Sequence, residues 1–294
     1  MQMKKLLAIL ACLLMVCSAA GAEEAAPILE VHQMALGIAD GYLLRCGDIE
    51  IMIDGGNANP ASPTEDVLNY LRAAGVETLD LYIVTHWHLD HCMNMNPILA
   101  EFGNDQTVVY GATDSVPDQI FNGSVTAKIG PVVNGEYRQM VMGDVVEIGG
   151  LKLTCIGPRS LVQDGQANSD SLNVLIEYGS RKFLFTGDLA QSGTINNEYK
   201  ELCADIDVLK FPHHGIEPFE VGVKAMRILS PDYILVPGLV KPYALWNYFD
   251  NYVVKLNVKT IYTNADGHVV ILTDGGERFE VLTQQNPADW APEQ

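Results

Sequence analysis

Positive charge is scarce in this sequence, and the shortage excludes several kinds of protein. The 294 residues include 18 Lys and Arg against 37 Asp and Glu, so the formal net charge is −19 at pH 7. We do not expect so acidic a chain to bind nucleic acid or anionic lipid through bulk electrostatic attraction. The 26 Gly and 14 Pro are spread along the chain, which excludes a low-complexity or fibrous protein. A hydrophobic content of 48% instead predicts a folded protein with one large core or two small ones.

Long hydrophobic runs are missing after the first 22 residues. Residues 6–16 form an apolar run, but its eleven residues fall short of the ~20 that a membrane-spanning helix needs. Two lysines precede the run, and small residues ending at Ala22 follow it, which is the pattern of a secretory signal peptide. We therefore predict cleavage after Ala22, export to the medium or the cell envelope, and no stable membrane span. A membrane anchor and lipid attachment at Cys17 are the less favoured alternatives.

Cysteine is also scarce, and the cysteines are far apart. Four remain after the predicted cleavage site, with no C-x-x-C pair among them. Four thiols allow three disulfide pairings, and the sequence does not choose among them. A chain of this size does not need disulfides to stabilise its core, so we predict ordinary buried thiols whose oxidation state stays open. These cysteines are Cys46, Cys92, Cys155 and Cys203.

From residue 23 onwards, short apolar segments alternate with helical ones, and no linker, repeat or charge block interrupts them. Glycine turns at Gly47-Asp48 and Gly179-Ser180 predict two β-hairpins. Helices are predicted at 64–75, with Thr64 as its N-cap, and at about 192–203. Strands are predicted at 28–34, 42–46, 49–53, 79–85, 151–156, 172–178, 182–186, 206–211, 233–236, 259–263, 269–273 and 279–282. This pattern predicts a single domain, residues 23–294, built as an α/β sandwich of two sheets covered by helices.

Most of the histidines lie in two short motifs. An apolar strand leads directly into His86-x-His88-x-Asp90-His91, and a second pair, His213-His214, follows a later strand. These residue types are the ones that bind zinc. In an extended loop His86 and His88 point to the same side, while Asp90 and His91 come from the following turn and can reach a second ion. The remaining histidines, His32 and His268, lie in strand-like segments far from the motifs and are not predicted as ligands.

The motifs as a set resemble the metallo-β-lactamase superfamily. Within it, they are most similar to the metallo-hydrolase domain of bacterial DNA-uptake (competence) channel proteins and its free-standing secreted relatives. The likeness covers about residues 28–283 and implies a four-layer αββα sandwich. The segments that carry it, besides the histidine motif, are Asp54-Gly55-Gly56, Asn168 to Leu172, Phe183 to Asp188, and Asp207 to Gly215.

The resemblance implies a site for two divalent ions. His86 and His88 would hold the first ion, and Asp90 with one histidine of the later pair would hold the second, with His91 beside Asp90. Asp188 would bridge both ions. Zinc is the expected metal, with manganese as the alternative.

Further residues are assigned to supporting roles in this site. His213 is preferred over His214 as ligand because it comes first after the strand, and neighbours in an extended loop point apart. His214 is then left to orient the substrate or transfer a proton, so Asp90 and His214 are the candidate catalytic residues. Asp54 is expected to fix a ligand histidine through its ring N–H. Asn168 and Ser171 lie behind the ligands, in a segment where many superfamily hydrolases have a further histidine.

A metal-dependent hydrolase of phosphodiesters is the function that the resemblance favours, with a hydroxide that bridges the two ions as nucleophile. Hydrolysis of a carboxylic ester, lactone or lactam is the alternative within enzymes, and a non-catalytic metal-binding surface module is the alternative outside them. The substrate could be a small molecule, a cell-surface polymer met by the aromatic segment 243–252, or a nucleic acid. The oligomeric state is left open. Four basic residues fall near the motifs without forming a cluster: Lys210, Lys224, Arg227 and Lys241.

Overall fold

A computed structural model describes most of the chain between residues 26 and 284. The described residues are 26–56, 63–114, 116, 120–122, 125–127, 134–160, 162, 168–189, 195, 199–216, 221–238 and 258–284. The signal peptide, most of the helix predicted at 192–203 and the aromatic segment 243–252 lie outside them. The α-helices among these residues are α1 (Thr64–Ala73), α2 (Leu89–Cys92), α3 (Met95–Phe102) and α4 (Val223–Leu229).

The described strands form two large sheets and a separate hairpin. Their bounds are β1 (Leu29–Gln33), β2 (Gly41–Cys46), β3 (Ile49–Gly55), β4 (Leu81–Ile83), β5 (Val108–Gly111), β6 (Ile120–Asn122), β7 (Val125–Ala127), β8 (Glu136–Gln139), β9 (Val145–Ile148), β10 (Leu151–Gly157), β11 (Asn173–Tyr178), β12 (Arg181–Phe185), β13 (Val208–Lys210), β14 (Tyr233–Val236), β15 (Thr260–Thr263), β16 (His268–Thr273) and β17 (Phe279–Gln284). One sheet has the order β17-β16-β1-β2-β3-β4-β5-β8, the other β15-β14-β13-β12-β11-β10-β9, and β6 pairs with β7 alone.

Each large sheet combines an antiparallel part with a parallel part. In the first sheet β3 pairs antiparallel with β2 and parallel with β4. In the second sheet β12 pairs antiparallel with β11 and parallel with β13. The two predicted hairpins, β2–β3 and β11–β12, are confirmed. The parallel strands matter for function, because their carboxyl ends lie at the same edge of each sheet.

Side-chain alternation along the strands produces three apolar layers. In β11, Val174 and Ile176 point into the core between the two sheets, which also includes Leu44 of β2. Leu175, on the opposite face of β11, packs with Met226 of α4. The outer face of the first sheet packs in the same way against α1 and α3. The αββα sandwich expected for this chain is therefore confirmed.

Helix α1 buries the apolar face that its sequence predicts, with Val67, Leu68, Tyr70 and Leu71 against the first sheet. The predicted cap is wrong, however. Pro63 occupies the N-cap position, and no side chain caps the helix. The Thr64 hydroxyl instead donates to Oδ1 of Asn94, 2.8 Å away.

The structure differs from the sequence prediction mainly in the short parallel strands. The segments predicted at 79–85 and 206–211 contain only three strand residues each, β4 and β13, because the chain turns from the sheet into the histidine motifs. Strands β5 to β9 were not predicted, since each has only three or four residues and β8 and β9 are partly exposed. The four cysteines of the predicted mature chain are buried free thiols. Among the described helices, none has the length and apolar character required to cross a bilayer.

Candidate metal centre

Most residues of the predicted site lie at the carboxyl ends of parallel strands from both sheets. The first sheet contributes Asp54 at the end of β3, and the segment from His86 to His91, which follows β4. The second sheet contributes Asp188 just after β12, and His214 shortly after β13. Strands β3 and β4 are parallel, as are β12 and β13, so their following loops meet at one end of the sandwich. The candidate site therefore lies at the junction of the two sheets.

Four residues form the first group of potential ligands. Asp90, His91, Asp188 and His214 each place one oxygen or nitrogen atom within 4.8 Å of the others. Nε2 of His91 lies 3.2 Å from Oδ1 of Asp188, and Nε2 of His214 lies 3.1 Å from Oδ2 of Asp90. His214 also places Nε2 3.6 Å from Oδ1 of Asp188. This is a compact set of two imidazoles and two carboxylates.

A second group shares one member with the first. It consists of His86, His88 and Asp188, which again place ligand atoms within 4.8 Å of one another. Nε2 of His86 lies 3.8 Å from Oδ2 of Asp188, and the rings of His86 and His88 are 4.5 Å apart. Asp188 thus turns Oδ1 towards the first group and Oδ2 towards the second.

Asp54 fixes the ring of His91. The carboxylate of Asp54 accepts a hydrogen bond from Nδ1 of His91 at 2.8 Å. It also accepts hydrogen bonds from the backbone N–H and the hydroxyl of Thr85, at 2.8 and 2.7 Å. Because Nδ1 of His91 is held by this hydrogen bond, its Nε2 is directed at the group that contains Asp188, where it would bind a metal ion once its own proton is lost.

Ser171 and Asn168 lie in the segment before β11, next to histidines of the site. The backbone N–H of Asp188 donates to Oγ of Ser171 at 3.0 Å, and the same oxygen lies 3.4 Å from Nδ1 of His86. Nδ2 of Asn168 lies 3.3 Å from Nε2 of His213. Ser171 thus supports two potential ligands, whereas Asn168 contacts His213.

Unpartnered polar atoms test whether these residues fit metal ions. Nε2 of His86, Nε2 of His91 and Oδ1 of Asp188 are all buried without a hydrogen-bond partner. Burying such atoms costs free energy unless something binds them. Imidazole nitrogens and carboxylate oxygens are the donors that suit zinc and related divalent ions. The residues therefore fit divalent metal.

Burial and neighbouring charges shift the protonation of the potential ligands. Burial lowers the pKa of His86 well below 6.5, so this imidazole is neutral at pH 7. Burial also lowers the pKa of His214, but the nearby Asp188 and Asp40 outweigh it and raise the pKa to about 9. Burial raises the pKa of Asp188, yet His91 and His214 hold it well below its usual value. Burial likewise lowers the pKa of His91, but Asp188, Asp54 and Asp40 outweigh it and raise the pKa well above 6.5. A cation that binds here would therefore displace protons from His91 and His214.

The two histidines after β13 lie in different surroundings. The His214 side chain is 1% exposed and belongs to the first ligand group, whereas the His213 side chain is 23% exposed and lies outside it. The distance from Nε2 of His213 to Oδ2 of Asp188 is 3.9 Å. The expectation of an extended backbone at this pair is wrong, because φ is 49° at His213 and 51° at His214. The left-handed turn directs His214 inward, the reverse of the order that the sequence favoured.

Two buried charged residues at this site were missed in the sequence. Asp40, just before β2, and Lys210, the last residue of β13, form an ion pair, and each is 1% exposed. Asp40 had no motif around it. Lys210 carried a signal, since a lysine in an otherwise apolar buried strand needs a partner for its charge.

Comparison with known proteins gives the family. The sequence model of the Metallo-beta-lactamase superfamily matches residues 35–239, which include every potential ligand described above. The chain belongs to the metallo-beta-lactamase superfamily. The resemblance noted in the sequence is confirmed at this level, and most members of this superfamily are metal-dependent hydrolases.

Individual relatives of this superfamily member are distant. ComE operon protein 3 of Bacillus subtilis (strain 168) is 28% identical over 176 residues, which are 59% of this chain and 22% of that protein. The chain thus matches about a fifth of the length of this curated relative. YhfI from Bacillus subtilis, a metallo-beta-lactamase fold protein, has a TM-score of 0.55 at 14% identity, over 84% of this chain and 100% of YhfI. CmlA from Streptomyces venezuelae, a diiron beta-hydroxylase, has a TM-score of 0.50 at 14% identity, over 80% of this chain and 52% of CmlA. At such identities the structural likenesses show the fold alone.

Proposed function

We propose that this protein is a secreted hydrolase of phosphodiester bonds that works with two divalent metal ions, zinc or manganese. The observation that carries the proposal is the position of Asp188, whose two carboxylate oxygens face two separate groups of ligand atoms. Two ions bridged in this way would activate water and stabilise the charge that develops on a phosphoryl group. The same pair of ligand groups supports hydrolysis over a purely structural metal site, which needs only one closed set of ligands.

We divide the residues of the site into metal ligands and residues that support them. We assign His86, His88 and Asp188 to one ion, and Asp188 with the rest of the first ligand group to the other. Asp54 keeps Nε2 of His91 directed at the ions. In this proposal His214 is a ligand, and the more exposed His213, held beside Asn168, transfers a proton to the leaving group.

The charge of the site is compatible with an anionic substrate. Asp40, Asp54, Asp90 and Asp188 carry four negative charges, and Lys210 carries one positive charge, which leaves three negative charges. Two divalent ions exceed these by one, and the hydroxide that they would hold brings the loaded centre to neutrality, so the centre does not repel a phosphodiester. The loaded centre therefore admits phosphodiesters as well as neutral esters and lactones.

The charge outside the site favours a small substrate or a short segment of a polymer. After cleavage at Ala22 the chain would keep 16 basic and 37 acidic residues, a net charge of −21. Lys210, one of the basic residues near the motifs, is buried against Asp40 and cannot contact a nucleic acid backbone. We therefore propose a small phosphodiester, or a phosphodiester on a cell-surface polymer, ahead of long nucleic acid.

Metal analysis and a substrate panel test this function. Purified protein is loaded with zinc or manganese, dialysed and analysed for bound metal, then assayed on a chromogenic phosphodiester, carboxylic ester, lactone and cephalosporin. We expect close to two ions per chain and the fastest turnover on the phosphodiester. Faster turnover of the ester, lactone or cephalosporin would reassign the substrate class, and a metal-loaded protein that hydrolyses none of them would favour a binding module.

Asp188→Asn tests the bridging role directly. The amide is a weaker ligand than the carboxylate and serves both groups, so we expect the bound metal to fall from about two ions to less than one, with turnover lost. Asp105→Asn, the same change at an exposed position, should keep both ions. Loss of a single ion in Asp188→Asn would show that this residue belongs to one site.

Secretion has its own test. The basic start, the apolar run and the small residues before Glu23 predict that the mature protein begins at Glu23. N-terminal sequencing of protein from the medium or the cell envelope should find this residue first. Recovery from the cytoplasm alone, with Met1 in place, would contradict the prediction.

A further inference from the structure

Lys210 is a fully buried lysine at the edge of the proposed metal centre. Its ammonium group forms an ion pair with Oδ2 of Asp40 and donates to the carbonyl oxygen of Gly187 at 2.6 Å. It also lies 3.7 Å from Oδ1 of Asp188. A buried ammonium costs free energy unless it is paired and hydrogen-bonded, and here both conditions are met.

Asp40 extends these contacts to the remaining ligands. Its backbone N–H donates to the carbonyl oxygen of Asp90 at 3.0 Å. Its Oδ1 lies 3.3 Å from Nδ1 of His214, and its Oδ2 lies 3.6 Å from Nδ1 of His91. Asp40 comes from the segment before β2, so it reaches the centre independently of the histidine motifs.

The pair connects every loop that contributes to the first ligand group. Lys210 ends β13, which leads to His214, and its ammonium holds the carbonyl of Gly187, the residue before Asp188. Asp40 holds the backbone of Asp90. The ion pair thus fastens the loop after β4, the loop after β12 and the end of β13 to one another across the junction of the sheets.

We propose that Lys210 and Asp40 are positioning residues that hold the ligands of the first group at metal-binding distance without contacting metal or substrate themselves. This inference rests on the proposed metal-dependent function. It assigns a role to two residues that the sequence analysis did not select as site residues.

The direction in which zinc affinity changes distinguishes a positioning role of Lys210 from a purely electrostatic one. Lys210 is a positive charge close to Asp188, so on charge alone its removal should strengthen the binding of a cation. If the residue positions the ligands, its removal should weaken binding instead. Lys210→Met keeps the length of the side chain and removes the charge, so the two effects act in opposite directions.

Lys182→Met is the matched control. Lys182 also donates its ammonium protons to two backbone carbonyls, those of Leu202 and Ala204, each at 3.1 Å. It lies at the start of β12, at the opposite end of the strand from Asp188. The control therefore makes the same chemical change on a carbonyl-bound lysine outside the metal centre.

The experiment measures zinc affinity by competition with a chromophoric chelator, and urea unfolding of the metal-free protein. We expect the dissociation constant of one zinc ion to rise about 10- to 100-fold in Lys210→Met, the effect typical of residues that orient ligands. Lys182→Met should bind zinc as the wild type does. Unchanged or tighter binding in Lys210→Met would overturn the inference, whereas a wild type that binds no zinc would overturn the proposed function itself.

A double variant keeps the test valid if the single variant folds poorly. Asp40→Asn combined with Lys210→Met removes both charges, so no unpaired charge stays buried and stability should recover relative to Lys210→Met. If the pair positions the ligands, zinc affinity stays weak in the double variant. Recovery of both stability and zinc affinity would show that the ion pair serves only the fold.

Discussion

Individual residues at the metal centre adopt backbone conformations that their side chains ordinarily avoid. Among the described residues, positive φ angles at non-glycine positions occur at five sites, and three of these are Asp54, His213 and His214. Such conformations cost free energy and persist where the surrounding structure enforces them. Here they direct a buried carboxylate to His91 and turn two adjacent histidines to different surroundings.

The histidine pair gives the sharpest prediction at this scale. His214→Ala removes a buried member of the ligand group, so we expect loss of one metal ion and of turnover. His213→Ala removes a more exposed side chain outside the group, so metal content should stay near the wild-type value while turnover falls by about 10²- to 10⁴-fold, the usual contribution of proton transfer. Metal analysis and phosphodiester hydrolysis of both variants check this.

His213→Gln is the control for polarity in this comparison, because it keeps a hydrogen-bonding group but cannot transfer a proton near pH 7. Its turnover should resemble that of His213→Ala. The assignment is reversed if His213→Ala loses metal and His214→Ala retains it.

The sequence located the residues of the site better than it assigned their roles. Residue type and spacing were sufficient to select His86, His88, Asp90 and His91, because few combinations besides a metal site place these side chains together. The choice between His213 and His214 depends on backbone angles that residue type does not determine. Asp40 reaches the site only through the pairing of β1 with β2, which brings the segment between them to the centre.

At the scale of elements, strands β1 and β16 carry a buried histidine, His32, and a half-buried one, His268, away from the candidate metal centre. Burial lowers the pKa of His32 and lowers that of His268 to about 4. Nδ1 of His268 accepts a hydrogen bond from the backbone N–H of Ala35 at 3.2 Å, and its ring stacks on Tyr70 at 4.6 Å. Both histidines are therefore neutral in the folded protein at pH 7, and they lie outside the groups of potential metal ligands found among the described residues.

This burial predicts an acid-sensitive contact between the strands. An unfolded histidine has a pKa near 6.5, so between pH 6.5 and 4 the unfolded chain binds more protons at residue 268, and stability falls as the pH falls through this window. His268→Asn keeps an acceptor for Ala35 but does not titrate. We expect the loss of unfolding free energy between pH 7 and pH 4.5 to be smaller in this variant by about 2–3 kcal/mol.

Urea unfolding of wild type and variant at the two pH values measures this difference. The metal-free protein is used throughout, so that ligand protonation contributes equally to both. Identical losses of stability in wild type and His268→Asn would show that His268 does not contribute to the acid sensitivity.

The elements that could be predicted are the ones with local signals. The hairpins β2–β3 and β11–β12 each have a glycine turn between two short apolar strands, so the turn marked the adjoining strand ends in the sequence. Strands β4 and β13 are buried on both faces and have no glycine turn at their ends, so each predicted strand extends beyond the observed one at both ends. Strand β8 joins the edge of the first sheet through a parallel pairing with β5, which no short-range pattern indicates.

At the scale of the whole molecule, the candidate metal centre lies where the two sheets meet. Asp90 and His91 follow a strand of the first sheet, and Asp188 and His214 follow strands of the second. Bound metal would therefore stabilise the contact between the two halves of the sandwich. The family could be identified from the sequence because its motifs lie at these strand ends, whereas the substrate depends on the surface around them.

Removal of metal should consequently lower the thermal stability. A ligand at a thousandfold excess over its dissociation constant stabilises the folded state by about 4 kcal/mol, which corresponds to roughly 10 °C in melting temperature for a domain of this size. We expect EDTA to lower the melting temperature and added zinc to restore it. The melting temperature of Asp188→Asn should change little with either reagent. A change equal to that of the wild type would place the stabilising metal elsewhere.

The hairpin turn at Gly47-Asp48 offers a site for chemical labelling. Both residues are exposed, and strand β3 separates them from the metal centre by seven residues, or roughly 20 Å. The four cysteines of the predicted mature chain are buried as free thiols, so a maleimide reagent has little access to them in the folded state. A cysteine introduced by Asp48→Cys would thus take up a fluorophore or a surface linker selectively, at the end of the sandwich opposite to the ligands.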